Sequence, residues 1–98
     1  MIFRLLPPAA QEIKEAARFY EGRVLGLGFD FIAEVRATIR LLLNHPHAWY
    51  PLDAEFRRCR TRRFPYGVIY TIEADHILIV SVMHLSRHPE SWRKNLGL

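Results

Sequence analysis

What this 98-residue chain has little of narrows its chemistry first. It holds one cysteine, Cys59, so no disulfide can close within it, which suits a reducing cytoplasm. That cysteine and the five histidines fall at no metal-ligand spacing, and neither a zinc site nor an organic cofactor is expected. No apolar run approaches the roughly 18 residues that a membrane span needs. Residues 1–8 are too short and too lightly charged to read as a signal peptide. A glycine-rich phosphate loop, a nucleophile elbow, an internal repeat and a low-complexity stretch are all missing. Lysine is scarce as well: two of the fourteen basic residues are lysine and twelve are arginine. Arginine's planar fork grips a phosphate or carboxylate through two parallel hydrogen bonds, whereas lysine acts as a point charge.

Half of the residues are apolar, which excludes disorder and predicts one globular domain over residues 1–98. A chain of this length can bury a core without disulfide or metal, aids usually needed only below about 40 residues. The net charge is +4, and its placement says more than its size. Residues 1–54 hold six basic and six acidic side chains, whereas residues 55–98 hold eight basic against four acidic and so carry the whole excess. An anionic partner, either nucleic acid or an acidic protein, is the class this favours.

Periodicity supplies the elements. Residues 2–6 have room for one strand, which Pro7 and Pro8 end; proline also suits the first turn of a helix. Ile13, Ala16, Ala17 and Tyr20 then recur at helical spacing, with Gly22 as the expected stop. A second helix is expected over residues 29–43, with Ile32, Val35, Ile39 and Leu42 as its buried stripe. Residues 47–54 read as a loop in which Trp49 and Tyr50 pack. Strands are expected over 55–63, 66–72 and 76–85, the last apolar enough to be buried on both faces. A short helix or turn should follow Pro89. The whole is an α+β fold: an antiparallel two-helix hairpin on one face of a mostly antiparallel sheet of about four strands.

The chemistry-bearing residues lie in the second half. Five arginines, Arg57, Arg58, Arg60, Arg62 and Arg63, occupy seven positions. Like charges that dense on a strand repel one another, which favours a binding role over a merely solvated face. Alternation puts Arg58, Arg60 and Arg62 on one face, and Cys59 and Thr61 on the other, toward the helices. Further along stand His84, Arg87 and Trp92. His84 is a candidate base or acid, Arg58, Arg60 and Arg87 candidate phosphate holders, and Tyr66 or Tyr70 a candidate proton donor. The alternative is that His84 caps a strand end and Tyr70 is core. Trp92 either covers the sheet end or stands exposed as an anchor.

The order of these pieces resembles the RelE/ParE superfamily, the toxins of type II toxin–antitoxin modules. The resemblance rests on Glu12-Ile13 through Glu15-Ala16 and Phe19-Tyr20, on Gly26-Leu27-Gly28, and on Phe31 through Glu34-Val35. It continues with Arg57-Arg58, Arg63-Phe64-Pro65-Tyr66, Val68-Ile69-Tyr70 and the ending His84, Arg87, Pro89 and Trp92. It spans nearly the whole chain. It implies a growth-inhibiting toxin of the cytoplasm, of the plasmid-stabilisation type, neutralised by a cognate antitoxin and touching operator DNA only through that antitoxin. One branch of the superfamily cuts messenger RNA on the ribosome and the other poisons DNA gyrase. In the nuclease branch an arginine tends to follow the tyrosine that Tyr66 matches, and a catalytic tyrosine is common near the end. This chain has Gly67, and Trp92 with Arg93. The expectation is therefore a ParE-like toxin acting on gyrase or a related target. A ribosome-dependent endonuclease is the alternative, and a non-toxic basic binding module a third. Arg58, Arg60, Arg63, His84 and Arg87 are expected to form one face, with Tyr70 and Trp92 assisting it.

Overall fold

Two prolines set where the chain first turns. In the computed structural model, which describes residues 2–97, strand β1 (Ile2–Leu5) stops short of Pro7 and helix α1 (Pro7–Arg23) begins on Pro7 and Pro8. The expected stop at Gly22 is not used. The helix runs to Arg23, and the Val24 N–H still donates to the Tyr20 carbonyl at 3.0 Å. A glycine inside a helix costs only about 1 kcal/mol relative to alanine, too little to end one. The reversal comes at Gly26, whose φ of +88° strains any residue with a Cβ.

Glu21 then fastens the second helix to the first. Its carboxylate accepts the Gly26 N–H at 2.8 Å and the Gly28 N–H at 2.9 Å, serving N–H groups that the start of helix α2 (Leu27–Asn44) leaves without a helical partner. A Cβ at Gly28 would lie 2.6 Å from the Ala17 carbonyl oxygen, so the two helices cross almost backbone on backbone there. The buried stripe of α2 is Phe31, Val35, Thr38, Ile39 and Leu42. The expected Ile32 is only half-buried, in an outer groove with Ala17 and Phe29. Phe31, one position back, turns inward instead. Its ring meets Tyr20 at 5.4 Å, Phe64 at 5.3 Å and Tyr66 at 4.9 Å, and three aromatic contacts outweigh one isoleucine.

The sheet has five strands in the order β1-β5-β4-β3-β2, where the sequence suggested about four. The extra one, β2 (Tyr50–Pro51), lies in the segment expected to be a loop and pairs antiparallel with β3 (Phe56–Arg60). Two residues show no periodicity, and proline is tolerated at a sheet edge. Strand β3 is shorter than the 55–63 expected. The N–H groups of Arg62 and Arg63 turn away and donate to the Glu34 carboxylate on α2, the Arg63 bond being 2.7 Å. Strands β4 (Tyr66–Ile72) and β5 (His76–His84) pair antiparallel, and β1 lies parallel to β5 on its other side.

Cys59, Val68, Tyr70, Ile77, Ile79 and Val82 face the helices. On the opposite face Ile69, Val80 and Met83 pack under Trp92 from the short C-terminal 3₁₀ helix (Ser91–Leu96). Strand β5 is thus covered on both faces, as its apolar run predicts. Ile69 pairs with Ser81 but Tyr70 with Ile79, so Val80 is an extra residue and β5 carries a bulge.

Candidate functional site

The bulge decides how the candidate residues are distributed. Side chains alternate along a strand, and one inserted residue flips every side chain beyond it to the other face. Past Val80 the inward positions become Val82 and His84, and His84 pairs with Tyr66. The two rings meet edge to face at 5.2 Å on the helix side of the sheet. Arg58 and Arg60 stand opposite Ile69 and Gly67 in the ladder and so share the other face. His84 and these two arginines do not form the single face that the sequence suggested. Of the candidate site residues, Arg87, in the turn after β5, borders both sides.

On the helix side, a cavity of about 230 Å³ is lined by Tyr66, His84 and Arg87 together with Glu12 and Glu15 of α1. The His84 Nδ1 accepts the Ser86 N–H at 3.0 Å and lies 2.7 Å from the Ser86 hydroxyl, which leaves the proton of the neutral ring on Nε2. Histidine therefore ties down the chain as it leaves β5. Burial raises the Tyr66 phenol above its ordinary pKa, with a smaller push from Tyr20, so it stays protonated at neutral pH. Glu12 and Glu15 entered the sequence reading only through the family resemblance, with no site role assigned to them. Glu12 points at β5, where its Oε1 accepts from the Val82 N–H and the Ser81 hydroxyl, each at 3.0 Å, and from the Asn95 amide at 3.2 Å.

On the opposite face the Arg58 stem lies across Gly67, where a Cβ would come within 2.9 Å of its Cγ and Cδ. Its guanidinium sits 5.1 Å over the Tyr50 ring. Tyr50, expected to pack, is 63% exposed. The rest of the arginine block disperses. Arg57 faces the helix side and donates to the carbonyls of His47 (3.2 Å) and Trp49 (2.8 Å), pinning the loop after α2. Arg60 and Arg62 are exposed. Arg63 lies in the turn before β4, 3.8 Å from the Asp30 carboxylate and 5.3 Å over Phe64.

Two expected site residues are interior. Tyr70 is fully buried and its hydroxyl donates to the Pro46 carbonyl at 2.6 Å, so no face of it is open to a target. Trp92 is 1% exposed against Phe56, ring to ring at 4.8 Å, with Arg93 stacked 4.4 Å above it. It covers the sheet rather than projecting as an anchor. Arg93 in turn bonds Asp53 at 3.0 Å and Glu90 at 2.8 Å, locking the 3₁₀ helix over the β2–β3 connection. Among the described residues, no three His, Cys, Asp or Glu side chains converge as metal ligands, and no helix is long and apolar enough to cross a membrane.

Burial pushes the Cys59 thiol up to about 11 and the Tyr70 phenol up to about 12. Both hold their protons to higher pH in the folded state than in the unfolded one, where they ionise near about 8.5 and 10. Their contribution is therefore complete below the unfolded values and is lost as pH rises toward the folded ones. Urea midpoints are expected to hold from pH 6 to 8 and then fall steadily to pH 11. At about 1.4 kcal/mol per unit, the thiol alone accounts for a decline on the order of 3 kcal/mol. Cys59→Ala should delay that decline toward the tyrosine range. An unchanged midpoint at pH 11 in the parent protein would show that the thiol titrates normally.

Comparison with known proteins points one way. A family model described as the ParE toxin of type II toxin-antitoxin system, parDE, matches residues 3–89. Among solved structures, a chain from one described as a chromosomal ParDE TA system from P. aeruginosa superposes with a TM-score of 0.75. The match covers 88% of this chain and 97% of the other at 12% identity, so that likeness is one of fold. No curated protein sequence matches.

Proposed function

The chain belongs to the ParE toxin family of type II toxin–antitoxin systems, and from that premise we propose that it arrests bacterial growth by binding DNA gyrase or a related protein target, without cutting RNA. A cognate antitoxin neutralises it in the cytoplasm, and it meets operator DNA only through that antitoxin.

The observation that carries this reading is the split between His84 and the strand arginines. Cleavage at a 2′-hydroxyl needs a base, a phosphate-holding cation and an acid around one phosphate. Arg58 and Arg60 lie on the far face of the sheet from His84. The cavity beside His84 sets two carboxylates, Glu12 and Glu15, against the single cation Arg87, which opposes entry of a phosphate. The Tyr70 hydroxyl, the other proton donor suggested by the sequence, is spent on Pro46. A protein target also suits the tip of the helical hairpin, where Phe19, Val24, Leu25 and Phe29 stand exposed.

Purified protein is expected to inhibit gyrase supercoiling. Induction without antitoxin should stop growth and leave transcripts with no new 5′ ends by primer extension. New ends inside translated frames, lost in His84→Ala and Arg87→Ala, would establish the ribosome-dependent endonuclease instead. Normal growth at high soluble expression would point to a binding module without toxicity.

A further inference from the structure

We infer that the slot between Arg58 and Arg87 receives one side-chain carboxylate from an acidic segment of a protein partner. The inference rests on the proposed action through protein contacts, and it assigns that action an anchor point.

The slot opens on the sheet face away from the helices and has a volume of about 70 Å³. Leu52, Met83, Leu85 and Pro89 form its apolar walls, and the two arginines are its charged members. Arg58 is held in place before any ligand arrives. Its stem is fitted to Gly67 and its guanidinium to Tyr50. Its Nε is closed off from solvent and donates to nothing among the described residues. The other engaged arginines differ: Arg63 faces Asp30, and Arg93 faces Asp53 and Glu90, whereas no ion pair among the described residues includes Arg58 or Arg87.

Size and walls select the anion. A water molecule's share of liquid is about 30 Å³, so the slot has room for a group of carboxylate dimensions. A carboxylate on a flexible stem can enter end-on and take two parallel hydrogen bonds from an arginine fork. A phosphodiester would carry a sugar on each side and calls for an open track. The apolar walls favour a glutamate or aspartate flanked by apolar neighbours.

The test is the side-chain Nε–Hε resonance of Arg58 in the full-length protein, titrated with three probes: acetyl-Leu-Glu-Leu-amide, its glutamine counterpart, and a uridine dinucleotide carrying one phosphodiester. The glutamate peptide is expected to shift the resonance saturably, and the glutamine peptide to bind about tenfold more weakly or worse, since loss of a charge-assisted pair costs at least that factor. Arg87→Gln removes the second cation from an exposed turn, so it should keep the melting temperature and weaken the glutamate peptide by a similar factor. Saturation by the dinucleotide in preference to the peptide, or no saturable shift with any probe, overturns the carboxylate slot. A supercoiling assay on the same protein keeps the two readings apart. Failure there with intact peptide binding removes the gyrase target and leaves the slot standing.

Discussion

Val35→Asp is expected to remove a large share of the protein's stability at 25 °C. Val35 is 2% exposed on α2 and belongs to the core that also contains Phe31, Ile39 and the helix-facing residues of the sheet. The residues that form that core with it are apolar, so an aspartate there would be stripped of water among side chains that offer it no charge. It must either be buried as a charge or take up a proton and be buried as an unsatisfied carboxyl. Added to the lost packing, the cost is on the order of 3–5 kcal/mol, within the range reserved for buried unpaired charges. Domains of this size have only about 5–15 kcal/mol in total. Two controls give the result its meaning. Arg36→Asp, one position along on the exposed face, should change little, and Val35→Ala should cost far less than the aspartate. Urea and thermal melts of the three variants decide it. An aspartate variant that melts with the parent would mean that this side of α2 faces solvent.

The contrast between Val35 and Arg36 was legible from helical periodicity, and so were most of α1, β4 and β5. What the sequence did not disclose was set by contacts distant along the chain. Strand β3 ends early because Glu34, on α2, takes the amides of Arg62 and Arg63. Ile32 yielded its core position to Phe31 because Tyr20, Phe64 and Tyr66 supply a matching aromatic cluster. The site shows the same division. Alternation within β3 correctly separated Arg58 and Arg60 from Cys59. It could not say which face His84 would share, because that depends on parity between strands, and the parity turns on the bulge at Val80. Nothing in the uninterrupted apolar run 77–80 marks an extra residue. The arginine block was dense enough to notice, yet its members serve different ends. Arg57 pins a loop, Arg63 pairs with Asp30, and Arg58 lies on Gly67.

Glu12→Leu is expected to lower the melting temperature by roughly 10–25 °C, because Glu12 closes the edge of β5 that the short strand β1 leaves open. Strand β1 accompanies β5 only as far as Ile79, paired with Leu5. Beyond that point no strand among the described residues lies on the outer side of β5. Side chains take over there: the Asn95 amide donates to the Val80 carbonyl at 2.9 Å, and Glu12 accepts from Val82, Ser81 and Asn95. One carboxylate oxygen thus joins α1, β5 and the 3₁₀ helix. Leucine has similar bulk and no acceptor. It would strand the Val82 N–H and the Ser81 hydroxyl, both on buried residues, at about 1–3 kcal/mol for each unsatisfied group. The hydroxyl can turn elsewhere and Asn95 keeps Val80, so the sum should settle near 2–4 kcal/mol, and each kcal/mol shifts the melting point of a domain this small by about 4–8 °C. Glu12→Gln retains an acceptor oxygen and should lose less than half as much. Glu15→Leu, at an exposed position three residues further along α1, should leave stability close to the parent's. Amide exchange gives the local signature: the Val82 proton should exchange markedly faster in Glu12→Leu, while Val68 and Ile69 at the centre of β4 slow or quicken only with global stability. If leucine and glutamine at position 12 melt alike, the three bonds to Oε1 contribute little and this edge of β5 is held by packing alone.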